Sequence, residues 1–299
     1  MQVLENERFR VEISEMGAEL TSFKSKTTGT EYVWQADPVA WKRHAPILFP
    51  IVGRLKDKTY TADGKAYEIT QHGFGRDLEW QANRESDTCV SFTLMPNDYT
   101  KKMYPWDFKC TVRYTLDGAS LKKEHITENC SGSTMYYEVG GHDAYNLCWQ
   151  DGEQITDYYV AFEGTDKLCR IVTDEAVMLT EERMDVPLDN GRLPITRGLF
   201  ADDAVMTEGL PVRRTTIGCT KNSRTVTMDF ADSITLRCGA RTRISTCRLC
   251  ASSRGAPCRT AATSTTRSSI RRVCVSCSPA RAKPCRLRQP FRSKTKNLP

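Results

Sequence analysis

Apolar and polar side chains alternate through most of the first 232 residues. Phe9-Arg10-Val11-Glu12-Ile13, Cys110-Thr111-Val112-Arg113-Tyr114-Thr115-Leu116 and Thr225-Val226-Thr227-Met228-Asp229-Phe230 each give a strand with one face in a core. Between such runs stand Thr28-Gly29-Thr30, Ala62-Asp63-Gly64-Lys65, Leu116-Asp117-Gly118 and Asp189-Asn190-Gly191, where Gly and Asn accept positive φ and turn the chain. Few windows keep an apolar stripe at helical spacing, and no internal repeat is present. The pattern predicts one antiparallel all-β sandwich over residues 1–232.

Three segments interrupt the alternation. Trp41-Lys42-Arg43-His44-Ala45-Pro46-Ile47-Leu48-Phe49-Pro50-Ile51-Val52-Gly53-Arg54-Leu55 joins two constraining prolines to an apolar run followed by Arg54. Gln71-His72-Gly73-Phe74-Gly75-Arg76-Asp77 and Gly140-Gly141-His142-Asp143-Ala144-Tyr145-Asn146 each set a histidine against glycine, where a backbone can approach a ligand closely. The chain has 4 histidines, so two of them in such settings are informative. Histidine exchanges a proton near neutrality, and a pair beside arginine and aromatic rings suits a polar small molecule. His44 and His125 read as structural, His125 following Lys122-Lys123-Glu124 in what reads as a solvated strand.

Charge divides the chain where the alternation stops. All 37 acidic residues lie at or before Asp232, while 16 of the 43 basic ones follow it, so 27 basic against 37 acidic residues leave the body at −10 and the tail at +16. The net +6 therefore describes neither part and does not support a basic-protein reading. Residues 233–299 also hold seven of 13 cysteines and a single aromatic, Phe291, and read as a disordered or out-of-frame tail. The body's cysteines (Cys89, Cys110, Cys130, Cys148, Cys169, Cys219) lack motif spacing and suit reduced core thiols. With no basic start leading into an apolar stretch and no run of spanning length, the chain reads as cytoplasmic and off the membrane.

The order of Pro46-Ile47-Leu48-Phe49-Pro50-Ile51-Val52-Gly53-Arg54, then Gln71-His72-Gly73-Phe74, then Gly140-Gly141-His142 resembles the aldose 1-epimerase (galactose mutarotase-like) family, in its short bacterial branch. Gly17-Ala18-Glu19-Leu20-Thr21-Ser22 and Glu31-Tyr32-Val33-Trp34 resemble that branch's opening strands. Leu193-Pro194-Ile195-Thr196 and Leu199-Phe200-Ala201-Asp202-Asp203-Ala204 resemble its later loop, so the resemblance covers about residues 1–232.

This resemblance implies a galactose mutarotase-like β-supersandwich whose groove holds one monosaccharide and needs no cofactor or metal. It implies that His142 is the general acid at the ring oxygen, that Arg54 and His72 hold sugar hydroxyls, and that Asp203, chosen over Asp202 by its Asp-Ala pairing, holds another. A carboxylate base would take the anomeric proton, opening the ring so that it recloses on the other face. The chain departs from the family at Asp143, where proline is common, and at Tyr145, where phenylalanine is common; a carboxylate beside the acid is expected to alter its protonation or the sugar preference.

The larger departure is the base. The family supplies a glutamate in a late IEPW-like strand, and no glutamate follows Glu208. If Arg248 to Arg254 are encoded CGT TTG TGT GCA TCG AGC CGT, an offset reading from the third base of Cys247's TGC spells PFVCIEP and can continue to W. The same offset over Arg237 to Cys247 can yield SLWGADADFDL, so a frameshift near Ser233 to Leu236 accounts for both the missing glutamate and the charge break. The lost codon would straddle Ser252 and Ser253.

Other readings stay open on the residues. Cys247-Arg248-Leu249-Cys250 and Cys274-Val275-Ser276-Cys277 are CxxC pairs that could ligate zinc, although 23 residues separate them and no knuckle glycines flank them. Sixteen cations could neutralise phosphates, but no aromatics interleave them, and no nucleic-acid partner is expected. The second functional reading is a sugar-binding or sugar-sensing protein without catalysis. Lys42, Arg43 and Lys56 suit either an anionic sugar or a solvated surface.

Overall fold

The hairpins foreshadowed by the turn residues close in register. Asp117 pairs with Ser120 across Gly118 at φ 56°, and Ala62 pairs with Lys65 across Asp63 and Gly64. Asp189 bridges to Arg192 across Asn190 and Gly191, both at positive φ. The computed structural model describes residues 1–174, 179–196, 198–199, 204–208, 214–230, 235–240, 246–254 and 267–278.

Two large antiparallel sheets carry the chain. The nine-stranded sheet runs in the order Arg192–Pro194, Tyr158–Phe162, Arg214–Cys219, Thr225–Asp229, Arg267–Ser278, Ser120–Asn129, Phe108–Asp117, Cys89–Leu94 and Gln81–Ser86. The seven-stranded sheet runs Leu179–Pro187, Lys167–Thr173, Val205–Glu208, Thr235–Ala240, Thr246–Arg254, Glu138–Asn146 and Ile47–Leu48. Smaller sheets form from Gln2–Glu5, Phe9–Ile13 and Leu20–Ser25, and from Thr59–Ala62 and Lys65–Glu68. The α-helix Asp98–Met103 is held by a capping box in which Asn97 accepts from the Thr100 amide. This is the all-β sandwich expected from the alternation. No helix among the described residues is long and apolar enough to cross a membrane.

Three segments beyond Asp232 run as strands. Arg267–Ser278 lies between Thr225–Asp229 and Ser120–Asn129, while Thr235–Ala240 and Thr246–Arg254 join Val205–Glu208 to Glu138–Asn146. The two CxxC pairs therefore fall in strands of different sheets. Among the described residues no group of three or more His, Cys, Asp or Glu is placed to hold a metal ion.

The core lies between the large sheets, and alternate residues of Phe108–Asp117 enter it: Phe108, Cys110, Val112, Tyr114 and Leu116. Burial pushes the Cys110 thiol up to about 12, that of an inert core thiol. Cys89 and Cys219 are buried as well, but Cys130 and Cys169 are exposed, so the core-thiol expectation fails for those two.

The strand read as solvated is buried. Lys123 is 1% exposed, and Glu124 and His125 are also buried, because Ser120–Asn129 lies between two neighbours and under the opposite sheet. Lys123 Nζ donates to Asp143 Oδ1 at 2.6 Å, linking the nine-stranded sheet to the seven-stranded one. The Lys123 ammonium also lies 5.7 Å from the Tyr114 ring centroid.

Candidate active site

Glu138–Asn146 presents two faces. Val139, Asp143 and Tyr145 turn into the core, and Gly141 lies over the Lys123–Asp143 pair. An added Cβ on Gly141 would stand 3.4 Å from Lys123 Nζ, in ordinary contact, so the group that approaches this glycine is the buried ion pair rather than a ligand. His142 lies on the other face, half-buried. Asp143 is thus on the face away from His142, with Tyr145 Oη donating to its Oδ2 at 3.5 Å, and the expectation that its carboxylate acts on the His142 ring is corrected. The two departures at positions 143 and 145 belong to one buried polar network.

Loops from the first quarter of the chain build the wall around His142. Trp41 sets its ring 4.9 Å from that of His142, and its carbonyl accepts the Trp34 indole N–H. The His142 amide donates to Pro46 O at 3.1 Å, while Gly140 and Gly141 pair with Leu48 and Ile47. Phe49 anchors the following turn among aromatic rings, with Phe108 at 5.0 Å and Phe74 at 6.0 Å between centroids.

The His72 loop locks onto this turn. Phe49 O accepts from the amides of Phe74 and Gly75, and a Cβ on Gly73, at φ +68°, would stand 2.3 Å from that oxygen. Close backbone approach is therefore the reason for glycine at 73, though the approaching group is protein. His72, at φ 66°, is held by a reciprocal pair: its amide donates to Gly53 O at 2.7 Å and its Nδ1 accepts from the Gly53 amide at 3.0 Å. The other ring nitrogen, Nε2, lies 3.3 Å from the Gln71 side-chain amide nitrogen.

The rings of His72 and His142 stand 5.8 Å apart, edge to face. Arg54 is exposed and donates to Gln71 Oε1 at 3.4 Å. Three of the four expected site residues, Arg54, His72 and His142, thus lie side by side, His72 against His142 and Arg54 linked to His72 through Gln71. The fourth, Asp203, lies outside the described residues. Trp41, Gln71 and Arg76 complete the wall; all three stand in the interrupted segments, where glycine and histidine drew attention and these residues received no role. Of the two remaining histidines, His44 has its proton affinity lowered by burial, against an opposing pull from Glu19 and Glu31.

The wall offers two imidazoles, two guanidinia and an indole ring, a set suited to a polyhydroxylated ring. Comparison with known proteins agrees. The sequence profile described as aldose 1-epimerase matches residues 1–230, ending two residues before the last acidic residue. The chromosomal LacX protein of Lactococcus lactis subsp. lactis is 32% identical over 238 residues, covering 77% of this chain and 79% of that protein. Bovine galactose mutarotase is 26% identical over 177 residues, covering 54% of this chain and 51% of the relative. A galactose mutarotase related enzyme from Lactobacillus acidophilus superposes with a TM-score of 0.83 at 28% identity, covering 93% of this chain and 97% of that one. The chain belongs to the aldose 1-epimerase family, whose members are isomerases acting on monosaccharides.

Proposed function

We propose that this chain binds a monosaccharide between His142 and His72 and is built to interconvert its α and β anomers, but lacks the base that completes the reaction. The observation carrying the reading is the convergence of both imidazoles and Arg54 on one wall. His142 gives a proton to the ring oxygen as the bond from that oxygen to the anomeric carbon breaks. The anomeric hydroxyl loses its proton to a base and becomes the aldehyde oxygen. Rotation about the adjacent carbon–carbon bond and reclosure by the reverse transfers yield the other anomer. His72 and Arg54 hold hydroxyls, and Asp203 holds another. Each acid or base is worth about 10²–10⁴-fold in rate, so a chain with one of the two is a poor catalyst.

The missing base is the frameshift's consequence. Supporting this, the profile match stops at residue 230 although the superposed backbone takes in 93% of the chain. Register adds a second support. Ser252 stands opposite Gly140 and Cys250 opposite His142, so position 252 falls on the His142 side of the sheet and position 253, opposite Val139, on the core side. The competing reading, sugar binding without catalysis, is favoured by the same absence of a glutamate after Glu208.

Anomerisation followed by polarimetry or NMR tests both. The chain as it stands is expected to bind a monosaccharide and leave the anomer ratio to relax near the uncatalysed rate. Ser252→Glu is expected to raise that rate by about 10²-fold, while Ser253→Glu does not. Rapid anomerisation by the unaltered chain would show that the base is elsewhere, and absence of sugar binding would overturn the site.

A further inference from the structure

Arg43 and Arg76 come from different loops and meet beside the sugar wall. Arg43 Nη2 donates to Asp77 Oδ1 at 2.6 Å and its Nη1 to Arg76 O at 3.4 Å. Arg76 Nη2 donates to Gln71 O at 2.7 Å, and its Nε lies 3.6 Å from Asp77 Oδ2. Two guanidinia thus share one carboxylate, and that carboxylate is nearly half exposed. Burial, and after it the neighbouring Arg43 charge, lowers the Arg76 pKa against the opposing pull of Asp77. Glu19, the other acid acting on Arg76, exerts a weaker pull and has its Oε1 occupied by the His44 and Ala45 amides.

The pair is continuous with the proposed site. Gln71, which anchors Arg76, also contacts Arg54 and His72, and Arg43 stands two residues from Trp41, whose ring covers His142. Lys42 and Lys56, the other cations compatible with an anionic sugar, are both exposed; Arg43 is half-buried. Among the described residues Arg43 Nε and Arg76 Nη1 make no hydrogen bond, so each guanidinium keeps a donor for an outside acceptor.

We propose that Arg43 and Arg76 recognise an oxyanion carried by the sugar, a phosphate ester or a carboxylate, so that the groove takes an acidic monosaccharide in preference to its neutral parent. This rests on the sugar-site reading above. Planar guanidinia match both groups through paired N–H donors, and two of them sharing one half-exposed carboxylate in a partly buried site give the substituent charge-assisted hydrogen bonds.

Titration calorimetry with the full chain separates the outcomes without needing turnover. The probes are glucose, glucose 6-phosphate, glucuronate and inorganic phosphate. At low salt at least one acidic sugar is expected to bind about tenfold or more tightly than glucose, a gap that narrows as salt is added. Arg43→Gln is expected to collapse that gap, and Arg43→Lys to retain part of it. The phosphate ester and the carboxylate are told apart by which of the two sugars shows the larger gap. Equal binding of glucose and both acidic sugars overturns the oxyanion site and leaves the sugar site standing; binding of no sugar overturns the sugar site. Inorganic phosphate binding as tightly as the sugar phosphate also overturns the proposal, since the sugar would then contribute nothing.

Discussion

His125 is a neutral ring held in a place that rejects its charge. It is buried in Ser120–Asn129, and among the described residues neither ring nitrogen has a hydrogen-bond partner. Burial, reinforced by the Lys123 charge, lowers its pKa from 6.5 to about 3. Above pH 6.5 the ring is neutral in both folded and unfolded chains and adds no pH dependence. Between there and pH 3 the unfolded chain takes up a proton that the folded chain refuses, so stability falls with pH by about 1.4 kcal/mol per unit. Below pH 3 both forms are protonated and the loss stops growing. His125→Leu is expected to flatten the decline between pH 6 and 4 in urea unfolding; an unchanged slope would place the acid sensitivity on other groups. The alternation of this strand was legible, but its face was not. Lys123 and His125 occupy inward positions that a polar residue usually marks as outward, and an inward lysine becomes readable only with its partner, Asp143, in view.

At the level of elements, that partner joins two sheets. Lys123 and Asp143 are 1% and 2% exposed, and Tyr145 adds a hydroxyl to the carboxylate. Removing one charge leaves the other buried and unpaired, which costs about 3–5 kcal/mol, whereas replacing both with apolar side chains of similar size is often neutral or stabilising. Lys123→Met is therefore expected to lower the urea midpoint strongly, and Lys123→Met with Asp143→Leu to recover most of the loss. Equal loss in the single and double variants would mean that the pair contributes through shape alone. The pair lies beneath Gly141, on the reverse of the strand that carries His142, so the single variant should also weaken sugar binding. Hairpins and the three interrupted segments could be read from local chemistry, as Asn190-Gly191 and the Gly53-to-His72 loops show. Contacts between sheets could not, since they join residues whose spacing along the chain carries no period.

Across the whole molecule, both large sheets close through strands that follow the last acidic residue. Glu138–Asn146, which carries His142, is flanked by the short Ile47–Leu48 on one side and by Thr246–Arg254 on the other. Ser120–Asn129 likewise lies between Phe108–Asp117 and Arg267–Ser278. Composition reads residues 233–299 as a disordered or out-of-frame tail, yet the described strands Thr246–Arg254 and Arg267–Ser278 supply hydrogen-bond partners to the two strands that hold the site and the ion pair. A chain ending at Asp232 would expose one whole edge of each strand, and long unpaired edges recruit other chains. Such a truncation is expected to elute as aggregates in size-exclusion chromatography and to lose amide protection in 138–146 and 120–129 by hydrogen exchange. A monomeric truncation with full protection of both strands would instead show that residues 1–232 complete the sandwich by themselves. The site would then owe nothing to the tail, and a glutamate at position 252 would have no strand to hold it against His142.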